Sequence, residues 1–131
     1  MLPPRKARLS AIKTGEIDLT MDVPPDSLED LRKDPDVVVA ETNSSAVWYV
    51  ALNTRHAVLK DRRVRQALNY AVNKDAIIRD ILKGTAIVAT TPLSPVYGAY
   101  HEDKTQRYPY DPEKARALLK EAGYANGFDL T

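Results

Sequence analysis

The sequence predicts an α/β fold, a short mixed sheet with flanking helices, on three observations. Val47 to Asn53 places Trp48, Val50 and Leu52 on one side and Tyr49, Ala51 and Asn53 on the other, the period of a strand. Val64, Ala67, Leu68, Ala71 and Val72 recur at helical spacing behind Asp61, a residue type that caps helices. Asp111-Pro112-Glu113 reads as a helix start: a cap, a proline in the first turn, and an acid near the positive end of the dipole. With 131 residues the chain has the size of one ordinary domain and can bury a core.

The elements follow in order. Pro3 and Pro4 open a helix through Lys13 with Leu9 and Ile12 on its narrow apolar face, and Gly15 ends it in a left-handed conformation. Glu16 to Met21 alternates Ile17, Leu19 and Met21 with polar residues and reads as a short strand. Pro24-Pro25-Asp26-Ser27 forms a turn and cap. A short helix with Leu28 and Leu31 on one face follows, broken at Asp34-Pro35-Asp36. Val37 to Ala40 is a second strand by its β-branched content, and Val47 to Asn53 a third.

Asn73 ends the helix that Asp61 begins and caps the next, whose stripe is Ile77, Ile78, Ile81 and Leu82, closed by Gly84. The last helix carries Ala115, Leu118, Leu119 and Ala122 and stops at Gly123, after which Phe128 to Thr131 starts a further strand. Thr90 to Tyr110 is irregular, with three prolines, Gly98 and the tyrosines at 97, 100, 108 and 110. So long a connection is either functional or held together by its own side chains. The few short strands have few partners within the chain, which predicts a fragment or a sheet completed by another chain.

Composition excludes several function classes. The apolar fraction is 44% and the charged fraction 28%, values of a globular protein rather than a disordered one. The 19 basic and 18 acidic residues are interspersed and give a net charge of +1, so no basic field exists to hold nucleic acid. With no cysteine there is no disulfide framework and no thiolate ligand or nucleophile. No apolar run has the length of a membrane-spanning helix, and no signal-peptide core follows Met1 to Lys6.

The residues suited to catalysis do not converge in sequence. His56 and His101 each stand alone and read as surface or structural histidines. Asp61, Asp75 and Asp111 sit at helix starts, and Glu29-Asp30 and Glu102-Asp103 in exposed runs. The glycines form no phosphate-cradling pattern and the serines no nucleophile elbow. Arg62-Arg63-Val64-Arg65 reads as a solvated first turn with one arginine in a buried ion pair. The reading is therefore of a protein that is not an enzyme and that carries neither cofactor nor metal. Two stretches remain open: the tyrosine-rich loop is either a packed loop or a stacking surface, and Thr42-Asn43-Ser44-Ser45 is either a hinge or a set of small polar groups offered to a ligand.

Five blocks in order carry a resemblance to a known family. Asp61 to Ile78, reading DRRVRQALNYAVNKDAII, resembles the signature of the family 5 solute-binding proteins, the dipeptide, oligopeptide, glutathione and nickel receptors of ABC importers. Leu9 to Leu19 with Gly15-Glu16-Ile17-Asp18-Leu19 is similar to the family's helix and GEIDL, and Trp48 to Thr54 to its YLALNT strand. Leu82 to Ala86 with Thr91-Pro92-Leu93 is similar to its loop. Tyr110 to Tyr124 resembles its YDPEKAKALLAEAGY helix.

The resemblance covers essentially the whole chain and implies a fragment of the two-lobed periplasmic-binding-protein type II fold. Residues 1–43 would end the first lobe and 44–131 begin the second. Asn43, Ser44, Ser45 and Trp48 would border the solute cleft, with Thr90 to Leu93 as weaker candidates. The implied function is capture of a peptide or other small solute for the permease of an ABC transporter, in the periplasm or outside the cell, membrane-associated in the longer protein. A solute-sensing domain of a regulator, or a self-associating fragment without binding, is the alternative. The acidic residue that pairs with a peptide's amino group in related receptors has no counterpart here, so native affinity is not expected of these residues alone. Unpaired strand edges predict a homo-oligomer formed by strand exchange.

Overall fold

The structure, a computed structural model, describes residues 4–100 and 108–130. The chain forms two compact units and changes unit after Asn43, after Ile77 and after Ile87. The first unit holds the chain through Asn43 together with Ile78–Ile87, and the second holds Ser44–Ile77 and the chain from Val88 onward.

In the first unit, helix α1 spans Arg5–Lys13. Gly15 follows at φ 72, a left-handed conformation that glycine adopts without a Cβ clash. Helix α2 spans Pro25–Arg32, with Pro25 at the first helical position, where a missing N–H removes no helical bond. Its Leu28 and Leu31 are buried, the face that the sequence predicts. Asp34 Oδ1 accepts from the backbone N–H of Asp36 at 3.1 Å, a local turn that stops the helix. Arg32 pairs with Glu41, and Lys33 with Glu29.

The second unit is built on α3 (Arg62–Ala71) packed against α5 (Pro112–Glu121). Asp61 caps α3 by accepting from Arg63 N at 2.8 Å, and Asp111 caps α5 by accepting from Lys114 N at 2.9 Å. Ala67, Tyr70 and Ala115 form the buried centre, with Tyr108, Leu118 and Leu119 packed around it. The Tyr70 and Tyr108 rings meet edge-on at 5.1 Å, and Lys114 Nζ lies 4.4 Å from the centroid of the Tyr70 ring. Asp111 N donates to the Tyr70 carbonyl at 2.9 Å, and Arg63 Nη1 to the Glu121 carbonyl at 2.7 Å, so the helix pair is tied at both ends. Val64 and Leu59 are also buried, each worth about 1.5–3 kcal/mol relative to exposure.

Asn73 caps the next helix as expected, accepting from Ala76 N at 2.9 Å. Helix α4 is only Lys74–Ala76 before the chain widens into a π turn over Ile77–Ile81. The apolar stripe expected here is not a core face: Ile77 and Ile81 are exposed. Lys83 and Gly84, both at positive φ, close the segment. The irregular stretch after Thr90 contains a 3₁₀ segment, Pro95–Tyr100, kinked at Gly98.

The expected short mixed sheet is absent among the described residues, which contain no β-strand. The segments 16–21, 37–40, 47–53 and 128–130 form no ladder with one another. Val38 is 93% exposed, and Tyr49 and Val50, on opposite sides of 47–53, are 77% and 85% exposed. Alternation of apolar and polar residues records a preference for extended backbone. A strand also needs a neighbour for its N–H and C=O groups, and no described segment supplies one.

Candidate functional site

Asn43, Ser44, Ser45 and Trp48 all lie exposed on the irregular run that follows Ala40, which bends at Ser45. Asn43 is the last residue of the first unit's opening segment, and Ser44, Ser45 and Trp48 belong to the second unit. Ser44 Oγ accepts from the backbone N–H of Ala46 at 3.0 Å, a turn that serine favours because its hydroxyl reaches its own backbone two residues on. That bond uses an acceptor lone pair and leaves the hydroxyl proton free to donate. Trp48 is 96% exposed, so the whole indole face is open to stack on a ligand. None of the four residues titrates near neutral pH, and their chemistry is hydrogen bonding and apolar contact.

A residue that sequence reasoning passed over lies beside them. Ser94 is buried, 4% exposed, and its Oγ donates to the Ser44 carbonyl at 2.8 Å across 50 residues of chain. The same oxygen accepts from Val96 N at 3.4 Å. The candidate segment is thereby joined to the start of the irregular loop, where Thr91 Oγ1 donates to the Leu93 carbonyl at 2.8 Å. The one sequence signal was a small hydroxyl residue between Pro92 and Pro95, in a stretch read mainly for its tyrosines.

The other candidates resolve into structure-holding roles. Arg63 forks onto Asp61, with Nη2 to Oδ2 at 2.7 Å, and the pair is partly exposed rather than buried as expected. That guanidinium, with the Arg63 backbone N–H, holds the Asp61 carboxyl below the usual carboxylate range. Arg65 donates to the carbonyls of Leu59 and Lys60 at 2.8 and 2.9 Å. Of the loop tyrosines, Tyr108 is part of the helix-pair core, while Tyr97 and Tyr110 are about half exposed. His101, Glu102 and Asp103 lie outside the described residues.

Two recesses, both in the first unit, are small. One of about 150 Å³ is lined by Leu9, Lys13, Ser27 and Leu31, and one of about 230 Å³ by Asp26, Glu29, Arg32 and Lys83. Both fall below the roughly 300–1,000 Å³ of pockets that enclose drug-sized ligands. Neither includes Asn43, Ser44, Ser45 or Trp48. Among the described residues no three or more acidic or histidine side chains gather as a metal site, and no helix is long and apolar enough to cross a membrane.

Asn43, Ser44 and Ser45 thus form an exposed polar run close in sequence to the open Trp48 ring. The family described as bacterial extracellular solute-binding proteins, family 5 middle, matches residues 1–131, and the chain belongs to it. Members of that family are binding proteins, not enzymes. The chain is 42% identical over 129 residues to heme-binding protein A of Haemophilus influenzae, covering 98% of this chain and 23% of that protein. It is 37% identical over 128 residues to the dipeptide-binding protein of Escherichia coli, covering 98% of this chain and 24% of that protein.

Among solved structures it is similar to the ABC transporter-associated periplasmic binding protein DppA of Helicobacter pylori in complex with the peptide STSA. The TM-score there is 0.87 at 35% identity, covering 97% of this chain and 25% of that one. It is also similar to NikA of Brucella suis in complex with Fe(III)-EDTA, with a TM-score of 0.72 at 34% identity, covering 93% of this chain and 25% of that one. These neighbours are type II periplasmic binding proteins. The chain spans about a quarter of the length of the relatives it matches.

Proposed function

We propose that this chain is part of a receptor that captures peptides or similar small solutes for uptake by an ABC transporter. The observation that carries this reading is the family match across all 131 residues, supported by a backbone course shared with a peptide-bound receptor. The residues engaged are Asn43, Ser44, Ser45 and Trp48. Hydroxyls, a side-chain amide and backbone groups suit the repeating amide of a peptide, and the open indole suits an apolar side chain. Residues 1–43 belong to the first lobe of such a receptor and residues 44–131 to the second. The receptor works in the periplasm or outside the cell, where the permease of the transporter is its partner.

A titration of the isotope-labelled chain with the tetrapeptide Ser-Thr-Ser-Ala, followed by amide chemical shifts, tests the assignment. The expected outcome is saturable shifts centred on residues 43–48 with weak affinity, because few of a receptor's contacts are offered by this run alone. No saturable shift, or shifts centred elsewhere, rejects the assignment of these residues. Sub-micromolar affinity rejects the expectation that binding here is weak.

The extended segments favour a second property, association of two copies by strand exchange. Their backbone groups form no ladder among the described residues, and Val38, Trp48 and Val50 present apolar surface to solvent.

A further inference from the structure

We infer that Ser94 is a positioning residue for the solute-contacting run Ser44 to Trp48, acting through its hydrogen bond to the Ser44 carbonyl. The inference rests on the reading of that run as the solute contact. Ser94 is the buried polar side chain among the described residues, whereas Ser44, Ser45 and Trp48 are exposed. A buried hydroxyl is retained where its bonds are made, and both are made here. Oγ donates to Ser44 O at 2.8 Å and accepts from Val96 N at 3.4 Å.

The geometry gives the bond a specific task. A run without ladder partners has no sheet bonds to fix which way its peptide planes face. The Ser44–Ser45 peptide lies inside the local turn closed by Ala46 N onto Ser44 Oγ, and its carbonyl oxygen is held from outside that turn by a donor 50 residues away. With that oxygen turned onto Ser94, the N–H of Ser45 on the opposite edge of the same plane is turned away from Ser94. The turn at Ser44, closed by Ala46 N onto Oγ at 3.0 Å, then carries the chain on toward Trp48. Ser94 therefore acts on the orientation of groups offered to a solute without touching the solute itself. Rigidity of this kind lowers the ordering cost of binding.

Ser94→Ala and Ser94→Thr in the 131-residue chain test this by two readouts. The carbonyl carbon shift of Ser44 reports the bond directly, and the titration with Ser-Thr-Ser-Ala reports its consequence. In Ser94→Ala the Ser44 carbonyl shift is expected to move toward its solvent-exposed value and the tetrapeptide affinity to fall about three- to tenfold, the worth of one net hydrogen bond. Ser94→Thr, which keeps the hydroxyl, restores both.

An unchanged Ser44 carbonyl in Ser94→Ala overturns the bond. A moved carbonyl with unchanged affinity overturns the positioning role and leaves Ser94 a folding residue. Failure of the unsubstituted chain to respond to the tetrapeptide overturns the functional reading instead, and the carbonyl shift still judges the bond.

Discussion

Asp61 shows how much one side chain can be asked to do and how local its instructions are. It caps α3 through Arg63 N and holds the Arg63 guanidinium, whose Nη1 reaches on to the Glu121 carbonyl. Its carboxyl is held below the usual range by the Arg63 side chain first and the Arg63 backbone N–H second. A carboxyl whose folded value lies below its unfolded value of about 3.9 contributes its full stabilisation above that value and loses it as pH falls through the folded one. Asp61→Asn keeps an oxygen for the cap and removes the charge. The urea midpoint of the unsubstituted chain is expected to drop more steeply below about pH 4 than that of Asp61→Asn, and parallel acid limbs would refute the coupling.

Roles of this sort were readable in sequence because capping depends on residues two or three positions apart: Asp61, Asn73 and Asp111 all cap where expected. Val64 and Ala67 of the predicted stripe are buried, but Tyr70 beside them was not readable as core, because its hydroxyl and the nearby apolar Leu68, Ala71 and Val72 drew the stripe past it. The burial of Tyr70 is decided by where α5 lies, a contact from more than 40 residues away.

Helices and extended segments differ in how far local sequence can take them. A helix satisfies its backbone within itself, so α1, α2, α3 and α5 appear close to where periodicity and caps put them. A strand depends on a partner, so the same reasoning placed a strand at 47–53 where the described residues form none. The second predicted helix fell between these cases. Its cap and its glycine stop are present, but a π turn replaces most of its length, leaving Ile77 and Ile81 exposed and Ile78 and Leu82 partly buried.

Among the helices, α5 has its start fixed by Asp111 and Pro112 and its end by Gly123 at φ 89. Removing the cap with Asp111→Ala is expected to cost about 1 kcal/mol of unfolding free energy in urea denaturation followed by circular dichroism. The same experiment on Ser10→Ala, an exposed position within α1, should stay within about 0.5 kcal/mol.

For the whole molecule the deciding observation is extended chain without a ladder. Four such segments place apolar side chains such as Leu19, Val38, Trp48 and Val50 in solvent, a pattern that single folded domains avoid. Sedimentation velocity is expected to find dimers or larger species at tens of micromolar protein. Val38→Lys with Val50→Lys, charges on the open segments, should shift the distribution toward monomer. A monomer at all concentrations would reject strand exchange.

The membership of each unit has a consequence for any attempt to take the molecule apart. Ile78–Ile87 belongs with the opening 43 residues, although 34 residues of the second unit lie between them. On the ribosome, the first unit therefore cannot finish until its late segment emerges. By then α3 is already made and still lacks α5, its packing partner near the other end of the chain. A cut after Asn43, the place a designer of truncations would choose, leaves one product without its closing segment and the other carrying ten residues that belong elsewhere. Neither product is a single unit and nothing more: the first unit is complete only in a piece reaching residue 87, and the second only in a piece that still carries Ile78–Ile87.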